Sequence, residues 1–449
     1  MAHPIAASSQ AASSCFDVLI LTAANEAQAA GYRAQLSWRE QRSLLPPGMQ
    51  WFVVTDPGGQ RVGSGGSTLE VLQFLAREVL TEGDTFHDRF AGRRVLIAHS
   101  GGDARRLPAY SALGKIFLPL PCDVSLPHRP SWEHFPSTVF DVLLQRLSQL
   151  PPSLDGEVLL CSGDVLLTFN AGETNLSTPA GVTGLGFAVP PVIGRQHGVY
   201  VTETPSIGGT VARFLQKPTL EMMEAEGAVD LTGRVSVDTG VLSFSPIAVD
   251  ALLQAAGVVL RNGQLVLEAS GLHQALLSGA VGEIDLYREI VPALPRGMGL
   301  EKYLEQAQVA RRVAGAREIL TAFYEKIRGF HLPFNVTAVP DGEFFHIGTT
   351  RDLLNKLPVP SRTGRVLRFE NGHSTRLVKG ETALLSAEAA GDANLYAFNS
   401  VLPHKSSARG LSYIEGCDLD SAALPLLPGS NLLVGLVSRQ GEFFASLEI

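Results

Sequence analysis

A chain of 449 residues is too long for one ordinary hydrophobic core, and 45% hydrophobic with 18% charged residues is the balance of a folded protein, which excludes disorder. The net charge of -8 argues against a nucleic-acid partner, whose phosphates demand a basic face. It leaves room for phosphorylated small molecules, which a few local cations and bare backbone amides can hold.

Residues 1–15 are small and polar, lack a basic start followed by an apolar stretch, and are expected to form a disordered tail. Four widely spaced cysteines, without a CxxC pair, speak against a zinc site or a disulfide framework. No apolar run reaches membrane-spanning length, so a cytoplasmic protein with no membrane partner is expected. Phe16–Thr22 reads as a buried strand followed by a helical stretch through Leu36, and Trp51–Thr55 as a second strand. Gly63–Thr68 (GSGGST) reads as a glycine-rich turn before a helix over Leu69–Leu80. Arg94–Ala98 and Glu157–Cys161 are further apolar strands, each ending in a Ser/Gly turn. Strands alternating with amphipathic helices predict an α/β fold with a mostly parallel sheet, whose ligands gather at the carboxyl ends of the strands. Beyond residue 361 the pattern changes to short β-type pieces, Val366–Phe369, Thr382–Leu385, Leu395–Phe398 and Leu432–Val434, separated by Gly, Asn and Ser. This division predicts a domain over 16–355 and a β-rich C-terminal domain over 356–449.

The segment from Val95 to Pro121 carries the most chemistry. A buried strand feeds Gly101 and Gly102, then Arg105 and Arg106, then Lys115. Glycines let a backbone approach phosphate closely, arginines offer forked donors, and lysine adds a compact charge. A strand–turn–helix junction with solvated arginines is the plainer alternative, but the whole spacing favours a triphosphate site. Gly63, Ser64, Gly65, Gly66, Ser67 and Thr68 open a helix whose N-terminus attracts an anion or a base edge; a plain capped turn is an equal alternative. The segment is neither a Walker A loop nor a dinucleotide fingerprint. Asp164, straight after a strand, suits a magnesium ion bridging phosphates, or else caps a turn. Lys217 precedes Pro218 in an extended stretch, where a surface lysine is the default. Asp238 and Gly240 lie in a tight turn suited to sugar hydroxyls or to an Asx turn. Asp285 lies in an amphipathic stretch, as a second metal carboxylate or on a solvated helical face. His99, His197, His331 and His346 show no metal-ligand spacing and are read as structural or substrate-contacting.

Taken in order, Val18–Gln28, Gly63–Thr68, Gly101–Lys115, Ser162–Leu166, Leu215–Pro218, Val237–Gly240 and Phe345–Thr349 resemble the fucose-1-phosphate guanylyltransferase family, which includes the N-terminal half of bifunctional fucokinase/GDP-fucose pyrophosphorylase. The resemblance implies a Rossmann-like nucleotidyltransferase domain followed by a β-helical region. It implies GTP and fucose-1-phosphate as substrates, with GDP-fucose and pyrophosphate as products. By position, Gly63–Thr68 and Gly101–Arg106 bind nucleotide, Arg106 and Lys115 hold the triphosphate, Asp164 holds Mg2+, Lys217 holds the sugar phosphate and Asp238 faces the sugar. Ala104 stands where a hydroxyl residue is expected. No Pro-x-x-x-Gly-Leu-x-x-Ser-Ser loop is found and the chain ends at Ile449, so fucokinase activity is expected to be absent. A pyrophosphorylase for another sugar or base, or an inactive nucleotide-sugar-binding regulator, are the remaining alternatives; an NAD-dependent oxidoreductase lacks its strand before the glycines and its acidic residue after them.

Overall fold

The computed structural model describes residues 15–100, 102, 106–107, 110, 114–120 and 137–356, followed by six strands between 374 and 448. Gly101 and Arg105, the tail up to residue 14, and the piece expected at Val366–Phe369 lie outside the described residues.

In chain order the first strands are β1 (Val18–Ala23), β2 (Gln50–Thr55), β3 (Arg94–His99), β4 (Glu157–Ser162) and β5 (Val165–Thr168). They are followed by β6 (Val182–Val189), β7 (Gly198–Thr202), β8 (Gly209–Gln216), β9 (Val235–Phe244), β10 (Val258–Arg261), β11 (Gln264–Leu267), β12 (Phe334–Val339) and β13 (Glu343–His346). Nine of these form one sheet in the order β2-β1-β3-β4-β9-β6-β12-β8-β7. β1 to β4 pair in parallel, whereas β9 runs antiparallel between β4 and β6. The fold is therefore α/β, as the alternation of elements predicts, but the sheet is mixed and not mostly parallel, because β9, β8 and β7 pair antiparallel with their neighbours.

The sheet is buried on both faces, which is why β1, VLILTA, is a continuous apolar run and not an alternating one. Its side chains still divide with the period of two. Leu19, Leu21, Leu96 and Leu159 enter one core with Tyr32, Phe117 and Phe140. Val18, Ile20, Val95, Val158 and Leu160 enter the other, with Leu72, Leu252 and Phe323 from the helices Gly63–Phe74, Pro246–Ala255 and Ala316–Gly329. Asn25 caps the helix Glu26–Gln41 by accepting from the Gln28 amide. At the amino ends of the strands, the register partners Arg94 and Glu157 form a buried ion pair at 2.7 Å. Charge there is spent on the fold, and the opposite ends of β1, β3 and β4 are left for a site.

The C-terminal part is β-rich. Its strands β14 (Ser374–Val378), β15 (Glu381–Leu385), β16 (Leu395–Ser400), β17 (Ser412–Glu415), β18 (Asn431–Ser438) and β19 (Gly441–Glu448) pair in the order β15-β14-β16-β17-β18-β19. β14, β16, β17 and β18 are successive parallel neighbours, and the two edge strands are antiparallel. Among the described residues no helix is long and apolar enough to cross a membrane.

Candidate active site

The parallel strands end together, and hydrogen bonds tie their ends into one rim. Ser100 donates from its amide to the Thr22 hydroxyl and from its own hydroxyl to the Thr22 carbonyl, joining β3 to β1. The Gly163 amide donates to the His99 carbonyl at 2.9 Å, joining β4 to β3. Gln28 bridges the loop after β1 to the glycine segment: its side-chain oxygen accepts from the Ala24 amide, and its nitrogen donates to the Gly102 carbonyl.

Asp164 stands on this rim. Its Oδ2 accepts from Lys115 Nζ at 3.0 Å and from His346 Nε2 at 3.2 Å, and its Oδ1 accepts from the Ser162 hydroxyl at 2.7 Å. A carboxylate only accepts, so His346 Nε2 carries the hydrogen. Burial works to raise the acidity constant of Asp164, but the His346 hydrogen bond, the His346 charge and the Lys115 charge overcome it and hold the carboxyl well below its usual range. Local structure fixes both partners. Gly114 has a φ of 67°, and a Cβ there would run into the Tyr32 hydroxyl, so only glycine turns the chain tightly enough to deliver Lys115. β13 pairs antiparallel with β5, placing His346 opposite Val165, next to Asp164 in the chain.

His346 also lines a cavity of about 570 Å3, together with Arg106, Arg195, His197, Lys217 and Asp352. Arg106, Lys115 and Lys217, chosen from sequence as the cationic residues of the reaction, are thus brought to one connected region through Asp164 and His346. Lys217 is exposed, and its φ of 51° lies in the left-handed region, so the extended stretch expected before Pro218 is interrupted at this residue. Its amide donates to the His197 carbonyl at 2.9 Å, which holds that conformation.

Other expected residues take different places. Gly63–Thr68 is not a turn before a helix but the first part of the helix Gly63–Phe74 itself. The amides of Gly65 and Gly66 both donate to the Ile284 carbonyl and are not open to an anion. Ser64 accepts from the Leu286 amide, Ser67 donates to Asp56, and Thr68 reaches His99 Nε2 at 3.0 Å, so the segment is clasped between the end of β3 and residues 284–286. Asp285 lies not on a solvated helical face but at the N-terminus of the short helix Leu286–Ile290. Its Oδ1 accepts from the Tyr287 and Arg288 amides, and its Oδ2 from Ser64. Asp238 does not face an open cleft. It is buried, with Oδ1 accepting from the Tyr200 hydroxyl and Oδ2 from the Gly240 amide, and burial pushes its pKa up to about 7. The alternative Asx turn is what forms. It shapes Gly240, whose φ is 81° and whose added Cβ would stand 3.1 Å from Ser162 Cβ. Asp238 thereby supports the Ser162–Asp164 turn from the neighbouring strand. Tyr287 closes the gap, its hydroxyl 3.6 Å from that Gly240 position. Burial, then the charges of Asp238 and Asp285, raise its pKa well above that of a free phenol and keep it neutral.

The structure adds Arg195 and Tyr287 to the residues singled out from sequence, and brings His197 and His346, read there as structural or substrate-contacting, to the cavity. A carboxylate held ionised with Lys115 and His346 on one oxygen, beside a cavity lined by Arg106, Arg195 and Lys217, is an arrangement suited to phosphorylated ligands. The chain belongs to the fucose pyrophosphorylase domain family, whose family model matches residues 87–441. It is 28% identical over 353 residues to fucose-1-phosphate guanylyltransferase of Homo sapiens, a match covering 76% of this chain and 54% of that protein. With the Mus musculus protein of the same name it shares 28% identity over 361 residues, 77% of this chain and 57% of the relative. The bifunctional fucokinase/GDP-fucose pyrophosphorylase of Arabidopsis thaliana is 30% identical over 303 residues, 62% of this chain and 27% of that protein. The chain therefore spans little more than half the length of the human and mouse relatives it matches.

Proposed function

We propose that the chain transfers a guanylyl group from GTP to fucose-1-phosphate, giving GDP-fucose and pyrophosphate. The observation that carries this reading is the Lys115–Asp164–His346 cluster opening onto the cavity that holds Arg106 and Lys217. Family membership supplies the substrates.

An oxygen of the sugar phosphate attacks the α-phosphorus of GTP. The new P–O bond forms as the bond to the bridging oxygen of the β-phosphate breaks, and pyrophosphate departs. Such a transfer depends on positioning and charge. In this reading Lys217 holds the sugar phosphate, while Arg106 and Lys115 neutralise the triphosphate and the leaving group. Gly63, Ser64 and Ser67, half-buried beside the clasp, are the part of the glycine-rich segment left to meet the nucleotide. Asp238 acts by holding Gly240, not by touching the sugar.

Asp164 is the residue suited to Mg2+. Among the described residues no group of three or more His, Cys, Asp or Glu side chains could hold a metal. Mg2+ is normally bound by one or two carboxylates plus substrate phosphates and water, a set to which Asp164 would contribute. When bound, it supplies further neutralisation of phosphate charge. Asp285, with both oxygens engaged locally, is the weaker of the two carboxylates expected from sequence. We also propose that β14, β16, β17 and β18 are successive coils of a β-solenoid over 356–449, a winding that makes consecutive strands parallel neighbours.

Pyrophosphate release from GTP, ATP and UTP, each with fucose-1-phosphate and with mannose-1-phosphate in the presence of Mg2+, tests the reading. Release greatest for GTP with fucose-1-phosphate supports it. Binding of GDP-fucose with no release from any pair overturns it in favour of a non-catalytic binder.

A further inference from the structure

The cavity beside Asp164 is chemically two-sided. One part of its lining is cationic: Arg106, Arg195 and Lys217. The apolar members of the lining are Ile193, Phe344 and Phe345. Ile193 is 42% exposed, an unusual place for an isoleucine among guanidinium groups and an amine. Phe344 is held edge-to-face with His197 at 4.7 Å between ring centroids and with Phe187 at 6.2 Å. A ligand that was phosphate alone would gain nothing from this wall. The apolar part is also tied to the cationic part. The carbonyl of His197, whose ring packs on Phe344, accepts the hydrogen bond from the Lys217 amide, so the lysine and the wall share one backbone link. The lining thus fits a ligand that carries both an anion and a small apolar group.

We propose that Ile193 and Phe344 form a subsite for the C6 methyl group of a 6-deoxyhexose-1-phosphate and select it over the corresponding hexose phosphate. The inference rests on the proposed function, since it gives the cavity to the sugar-phosphate substrate. Fucose carries a methyl where galactose carries a hydroxymethyl group. Turned towards Ile193 and Phe344, the methyl loses only water, whereas the hydroxyl loses hydrogen bonds that neither side chain replaces. A hydrophobic pocket rejects an added hydroxyl by roughly 10- to 100-fold, which sets the scale of the selectivity.

The test measures kcat/KM for L-fucose-1-phosphate and for its 6-hydroxy counterpart, L-galactose-1-phosphate, by pyrophosphate release from the full chain at saturating GTP and Mg2+. Ile193→Thr keeps the branched shape, adds a hydroxyl and, at an exposed position, leaves the fold intact. The wild type is expected to prefer the deoxy sugar, and Ile193→Thr to lower that preference about tenfold with KM for GTP unchanged. Val192→Thr, at a neighbouring residue that is 61% exposed, serves as control and is expected to change neither value. A preference that moves less than about twofold in Ile193→Thr overturns the subsite while turnover of fucose-1-phosphate upholds the wider reading. A raised KM for GTP with sugar preference unmoved overturns it differently, by giving the apolar wall to the base. Wild-type turnover of other sugar phosphates with none of fucose-1-phosphate overturns the proposed function and the subsite together.

Discussion

Lys217 offers a perturbation in which stability and function separate. A left-handed conformation at a non-glycine residue costs about 1–2 kcal/mol. Here the His197 carbonyl and Pro218 hold the residue in place, and a φ of 51° indicates that the cost is borne in the folded chain. Glycine at 217 removes it but adds about 0.5–1 kcal/mol of chain entropy lost on folding. The balance is a variant between equally stable and about 1.5 kcal/mol more stable than the wild type. Lys217→Ala keeps the strain and gains nothing. Both substitutions delete the amine proposed to hold the sugar phosphate. A hydrogen bond to a charged group is worth about 1.5–3 kcal/mol, so kcat/KM for the sugar phosphate falls roughly 10- to 100-fold in both. Urea denaturation orders the stabilities, and pyrophosphate release at varied sugar phosphate gives the kinetics. The reasoning fails if Lys217→Gly is less stable than Lys217→Ala, or if either variant keeps kcat/KM within about threefold of the wild type.

Lys115→Met and Arg106→Met are each expected to lower turnover by about 10²–10³-fold with unchanged circular dichroism; near-wild-type turnover in either removes that residue from the reacting phosphates. Gly114→Ala forces a Cβ against the Tyr32 hydroxyl at a positive φ, and is expected to cost about 1–3 kcal/mol in urea denaturation and to lower turnover by moving Lys115. Asp238 makes stability depend on pH. Its pKa is about 7 in the folded chain and about 3.9 when unfolded, so between these values the folded state holds a proton that the unfolded state has released. Stability therefore falls as pH rises through that window, and the cost of the buried charge is fully present above pH 7. Asp238→Asn removes this slope, so the variant should gain on the wild type between pH 5 and pH 8; an equal difference at both values refutes the assignment.

The sheet was legible because its signal is local. β1, β3 and β4 are buried on both faces and read as apolar runs, and their terminal Ser and Gly residues mark where ligands meet the strand ends. Lys115 and Asp164 were legible for the same reason, since each follows a recognisable apolar or glycine-marked segment. His346 was not. Its partner Asp164 lies 182 residues earlier, and only the pairing of β13 with β5 brings them together. Nothing in the composition around either residue encodes that pairing. Asp238 and Asp285 misled in the opposite direction. An acidic residue in a turn looks the same in sequence whether it faces a ligand or accepts from the amides one to three positions on, and here both do the latter. The glycines at 65 and 66 were read as open amides because the Ile284 carbonyl that takes them lies on a distant segment.

The same geometry explains how a partly buried carboxylate stays charged before any substrate arrives. An unpaired Asp164 would protonate under its desolvation cost and lose its affinity for a cation. Lys115, His346 and Ser162 prevent this by occupying both oxygens. Two of those partners are themselves groups that phosphates attract, so arriving substrate competes with Asp164 for them and offers them more negative charge than one carboxylate can. In the proposed reaction Asp164 would then be free to help hold Mg2+ together with the substrate's phosphates. Nucleotide and metal should consequently bind with positive coupling, and Lys115→Met, which removes in advance one of the two groups on Asp164 Oδ2, should weaken that coupling along with turnover.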